Sequence, residues 1–83
     1  MRAATMIRIA DCESDFNPLA RNPHYYVPGY GNPVGLFQHV EGYWPARAVK
    51  YGWPGASVFD PVANANVTAA MMATEGTSAW ECK

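Results

Sequence analysis

Between residues 15 and 34 the chain places four prolines, two glycines and three tyrosines, and this stretch constrains the fold more than any other. Proline removes a backbone donor and crowds the preceding turn, and the residue before each proline avoids the helical region. Val27-Pro28-Gly29-Tyr30-Gly31-Asn32-Pro33 is dense turn chemistry. The stretch therefore reads as an ordered loop, with room for one small hairpin around Tyr25 to Tyr30. Regular structure is left to the residues on either side.

On the N-terminal side, Ala3, Met6, Ile7 and Ala10 recur at the spacing of one helix face. A helix is predicted from about Ala3 to Ser14, ended by Asn17-Pro18. Helical character returns from Gly35 to Tyr51, broken near Gly42 and by Pro45, which suits the first turn of a new helix. Gly52-Trp53-Pro54-Gly55 is a second turn. Asp60-Pro61 pairs an N-cap acid with proline at the first helical position. Val62, Ala63, Asn66, Val67, Ala70 and Ala73 then mark one face, with Asn66 bonded to an adjacent loop, and Gly76 stops the helix. The expected fold is mainly α: three to four short helices around a Tyr/Pro/Gly-rich loop, in a single domain over residues 1–83.

A core of this size yields little net stability, so a covalent staple is useful. Cys12 and Cys82 are the two cysteines, either buried as thiols or bonded. We favour the bond, which closes a loop worth roughly 4 kcal/mol in the chain-entropy model and implies an oxidising location outside the cytoplasm. The spacing fits no zinc pattern, and no metal or cofactor is expected. A formal net charge of −1 argues against nucleic acid and against an anionic membrane surface. No apolar run reaches spanning length, and Met1-Arg2-Ala3-Ala4-Thr5 lacks the apolar centre of a secretory signal.

Glu13 stands at the end of the first helix, where its apolar face continues into Glu13 and Ser14. Partial desolvation there raises a carboxyl pKa, and an acid still protonated near neutrality suits general acid catalysis. The plainer alternative is a solvated Glu at a fraying helix end.

Three elements weigh against that alternative: Glu13-Ser14-Asp15-Phe16-Asn17-Pro18-Leu19-Ala20, then Gly35-Leu36-Phe37-Gln38, then Asp60-Pro61 leading to Asn66-Val67. In this order, over roughly residues 6–82, they resemble the catalytic domain of soluble lytic transglycosylases and the wider lysozyme superfamily. The ending Ala79-Trp80-Glu81-Cys82, with Cys12 directly before Glu13, is similar to small actinobacterial versions. Those include the resuscitation-promoting factors, whose cysteines pair in this arrangement. The resemblance implies an α+β lysozyme-like fold and peptidoglycan glycan strands as partner. It also implies an extracellular, cell-wall or phage-delivered setting and action as a monomer. It makes Glu13 the catalytic acid/base and puts Gln38 and the backbone of Gly35 to Phe37 on the cleft floor. Ser14, Gly35, Leu36, Phe37, Gln38, Tyr25, Tyr26, Tyr30 and Glu41 are the candidate substrate-binding residues.

Most glycosidases use two carboxylates. Asp15 sits two residues past Glu13 and faces another side of a continuing helix, so it reads as a helix-end carboxylate. Glu41 lies one residue out of register with the water-orienting Asp of goose-type lysozymes and reads as a solvated surface residue. Glu75, before Gly76, reads as solvated. Without a partner carboxylate the substrate's own N-acetyl group can assist, an exception to the two-carboxylate rule. The product is then the 1,6-anhydro sugar of a lytic transglycosylase. A water-using hydrolase and a non-catalytic wall-binding module are the alternatives. Phe37 and Trp44 read as core; Trp53 and Trp80 as packing, Trp80 against the cysteine bridge. Tyr25, Tyr26 and Tyr30, with Tyr43, are the aromatic wall candidates, and His24 and His39 are possible cleft polar groups.

Overall fold

A computed structural model describes residues 3–80 and 82. Helix α1 spans Ala3–Ser14, with the limits expected from sequence. It stops two residues short of Asn17-Pro18, because Asp15 and Phe16 both take positive φ, 54° and 59°. Asp tolerates that region; a bulky Phe rarely enters it, at a cost of about 1–3 kcal/mol. The buried face is Ile9, Ala10 and Ser14, and Ile7 is 59% exposed. The helix is thus rotated from the expected face of Ala3, Met6, Ile7 and Ala10, because Ile9 carries more apolar area than any alanine.

Residues 35–40 are not helical. Strand β1, Pro33–Val34, pairs antiparallel with β2, His39–Val40, with Pro33 opposite Val40 and Val34 opposite His39. Gly35 (φ 83°) and Gln38 (φ 57°) close the turn between them. Helical periodicity lost here to β-branched pairing across a glycine-initiated turn. The hairpin expected around Tyr25 to Tyr30 is reduced to one antiparallel bridge, Val27 to Gly31. A 3₁₀ turn, Glu41–Tyr43, leads into α2, Trp44–Lys50, with Pro45 in its first turn.

Helix α3 spans Pro61–Glu75. The Asp60 carboxylate accepts from the backbone N–H of Val62 and of Ala63, and Gly76 (φ 72°) ends the helix. Its buried residues are Ala63, Asn64, Val67, Thr68, Met71 and Met72, so the expected face is shifted by about one position and Val62, Asn66 and Ala73 are exposed. Asn64, not Asn66, is the loop-bonding asparagine. It accepts from the Phe37 N–H at 3.0 Å and donates to the Val58 carbonyl at 2.8 Å. Asn66 turns back to its own helix at Val62.

The core joins Ile9, Phe37, Trp44, Val67, Met71 and Trp80 across all three helices. Cys12 and Cys82 form a disulfide, with Cα atoms 5.7 Å apart across 70 residues of sequence. Trp80 lies in this core, and its indole N–H donates to the Phe37 carbonyl at 2.8 Å. The result is a small α+β domain with three helices and a two-stranded antiparallel sheet.

Candidate active site

A cavity of about 260 Å³ opens between the end of α1, the long loop, the hairpin and α2. Glu13 enters it from the last turn of α1. Asn22, Tyr25 and Val27 come from the loop, Gln38 from the hairpin turn, and Tyr43 and Arg47 from the α2 side. The volume is small for a ligand pocket but open, and its exposed lining is more polar than apolar.

Each wall is held by bonds that a composition cannot reveal. The Ser14 hydroxyl lies 2.7 Å from the Leu36 carbonyl and pins the end of α1 to the hairpin turn. Gly35 is required there. A side chain would stand 2.6 Å from both the Asn64 amide and the Val58 carbonyl, at a φ of 83°. Gly42 is the second such position, since a side chain would meet the Tyr30 backbone at 2.8 Å. That close approach lets the Gly42 N–H donate to the Tyr30 carbonyl at 2.7 Å and seats the loop on the 3₁₀ turn.

The loop has its own polar hub. Asn32 is buried; its side-chain amide donates to the Asn22 and Tyr25 carbonyls at 3.1 and 2.7 Å. Its oxygen accepts from Arg21 Nη2 at 2.8 Å. Arg21 Nη1 pairs with Glu41 Oε1 at 2.7 Å, and the same oxygen accepts from the Asn32 N–H at 3.3 Å. Satisfied side-chain bonds here replace the missing strand ladder.

The structure divides the expected site residues. Glu13, Gln38 and Tyr25 line the cavity. Ser14, Gly35 and Phe37 are buried behind it as framework. Leu36 and Phe37 border a separate apolar groove with Met6, Ile7 and Phe16. Tyr26 and Tyr30 are exposed but outside the lining, and Tyr30 packs on Tyr43 with ring centroids 4.7 Å apart. Glu41 is the loop's ion-pair partner, its side chain still 39% exposed, and it is not in the lining. Asp15 is exposed outside it, and Glu75 accepts from the Tyr51 hydroxyl at 2.7 Å. Gln38 donates to the Gly35 carbonyl at 2.9 Å and lies 3.3 Å from that of Ala20, so it holds the turn as well as facing the cavity.

His39 is core, not cleft, at 1% exposure. Arg47 Nη1 lies 3.0 Å from its Nδ1, and Thr68 Oγ1 lies 2.7 Å from its Nε2. A guanidinium only donates, so Nδ1 is the acceptor and Nε2–H donates to Thr68. Burial first, and the Arg47 cation second, lower the His39 pKa to about 3. Burial also draws Arg47 below its ordinary value, opposed by Glu75, Tyr43 and Tyr51, but a guanidinium starts too high to lose its charge at neutral pH.

Sequence reasoning missed Arg47 and Asn22. Arg47 shares a helix face with Trp44, three residues back, which is a weak signal; Asn22 carries none. Together the lining residues offer a carboxyl group, a cation, two amides and two phenol rings around one small volume. Among the described residues no group of three or more His, Cys, Asp or Glu side chains is placed to hold a metal ion. No family model, no curated protein and no solved structure matches the chain.

Proposed function

We propose that this domain is a lysozyme-like lytic transglycosylase that cleaves the β-1,4 bond between N-acetylmuramic acid and N-acetylglucosamine in peptidoglycan. The observation that carries the reading is that Glu13 is the one carboxylate lining the cavity among the described residues. A lining with a single carboxylate matches a reaction in which the substrate supplies the second function.

Glu13, as the acid, gives its proton to the glycosidic oxygen as the C1–O bond breaks. The neighbouring N-acetyl oxygen bonds to C1 and takes up the developing charge. The 6-hydroxyl of the same sugar then attacks C1, displaces the acetamido oxygen and returns its proton to the Glu13 carboxylate. The product is a 1,6-anhydro sugar, and no water is consumed. Tyr25 offers a ring for a pyranose, and the Gln38 and Asn22 amides are within the same lining for hydroxyl groups. The Cys12–Cys82 bond fits a setting outside the reducing cytoplasm, where wall glycan is found.

Mass spectrometry of fragments released from purified peptidoglycan tests this, with wild type beside Glu13→Gln. Anhydro-muropeptides from wild type alone are expected, with the variant still folded. Reducing-end fragments would replace the reading with a water-using hydrolase. No fragments from either form, with wall binding retained, would leave a binding module.

A further inference from the structure

Arg47 is the charged group in the cavity that this reaction leaves without a task. It stands in the lining with Glu13, Gln38 and Tyr43, half-buried. Of its five donor hydrogens, Nη1 is engaged at His39 Nδ1. Its guanidinium carbon lies 5.2 Å from the centre of the Tyr43 ring. Among the described residues the two ion pairs are Arg21–Glu41 and Lys50–Glu75, and Arg47 is in neither, although the Glu75 carboxylate acts on it electrostatically. Glu75 already accepts from Tyr51 and pairs with Lys50.

The brace behind it is built to keep it a cation and keep it aimed. Thr68 and Arg47 bracket a fully buried imidazole, which must stay neutral to accept from Nη1. The guanidinium carbon lies over the Tyr43 ring. Among the described residues Nη1 alone of the Arg47 nitrogens is hydrogen-bonded, so Nη2 and Nε keep donors for a ligand. A half-desolvated, pre-oriented guanidinium with an unused edge is a carboxylate receptor.

We propose that Arg47 is a specificity residue that binds a carboxylate carried by the glycan strand, within the same cleft as Glu13. This rests on the glycan-cleaving reading above. Two sources share that chemistry. One is the lactyl carboxylate of a muramic residue whose peptide has been removed; the other is a carboxylate of an attached stem peptide. A strand of N-acetylglucosamine alone offers neither.

Three soluble probes, titrated by nuclear magnetic resonance, separate the cases. They are neutral chitotetraose, a muramic-containing tetrasaccharide stripped of peptide, and the same tetrasaccharide with its stem peptides. The background is Glu13→Gln, which blocks turnover and imitates the protonated acid. Adding Arg47→Gln is expected to lower affinity for a carboxylate-bearing probe about tenfold or more relative to its effect on chitotetraose, the scale of one charge-assisted bond. The probe that suffers identifies the source. Arg47→Lys keeps the charge without the fork and is expected to fall between the two. Raising the salt concentration on the Arg47-containing background should narrow the same preference, which needs no further variant to fold. Equal losses on all three probes, or a preference indifferent to salt, would overturn the Arg47 assignment and leave the glycosidase reading standing. Binding of none of the three would overturn both.

Discussion

Both ring nitrogens of His39 face protein, and that commitment has a consequence in acid. The unfolded chain takes up a proton at this imidazole below its ordinary value of 6.5, whereas the folded one resists until about 3. Below pH 6.5 the unfolded state therefore binds the extra proton, and stability falls as pH falls, with the loss complete below the folded value. By pH 5 the loss is about 2 kcal/mol, or a melting temperature lower by about 10 °C for a domain of this size. Melting curves from pH 7 to pH 5 should show the decline in wild type and a flatter profile in His39→Gln. An unchanged slope in the variant would place the proton elsewhere. Nothing in the sequence distinguished this buried histidine from the exposed His24, because its partners, Arg47 and Thr68, lie 8 and 29 residues away.

At the scale of elements, ends were legible and faces were not. Asp60-Pro61 and Gly76 bound α3 as read, because a cap is a bond between near neighbours. Asp60→Ala removes the acceptor for two backbone N–H groups and should cost about 1 kcal/mol, lowering the melting temperature by about 4–8 °C. Asp60→Asn should recover most of it; equal loss in both would mean that the carboxylate charge, not the cap, matters. The face of α3 was misjudged because alanine is small enough to sit inside or outside at little cost. Asn64 and Thr68 then took interior positions that hydrophobicity would deny them, each with a distant partner to satisfy it. The hairpin was missed for a related reason. Two-residue strands carry almost no periodicity, and Gly35 reads as a helix breaker until Asn64 and Val58 are seen against it.

For the whole molecule, the disulfide is the restraint that closes the domain, joining the helix that bears Glu13 to the C-terminal segment across 70 residues. Its loop-closure contribution is about 4 kcal/mol on the entropy model, comparable to the net stability of a domain this small. Strong reductant should lower the melting temperature by about 10 °C or more and reduce cleavage as α1 loosens from the cavity. A melting curve indifferent to reductant would show that the bond adds nothing.

The amino-acid sequence alone determined the limits of α1 and α3 and the ordered loop between them. Each of these follows from local rules: caps, breakers and turn residues. It left the two cysteines open between thiols and the bond that forms, and Glu13 was singled out by the order of motifs more than by its place on α1. The tertiary structure alone decided which helix faces turn inward, that Gly35 to Val40 form a hairpin, and that Glu41 ties down a loop. It also decided that Arg47 joins Glu13 at one cavity. Those outcomes depend on bonds between residues 20 to 30 positions apart, such as Ser14 to Leu36, Arg21 to Glu41 and Phe37 to Asn64. The energy of such bonds exists only once the chain has brought both ends together.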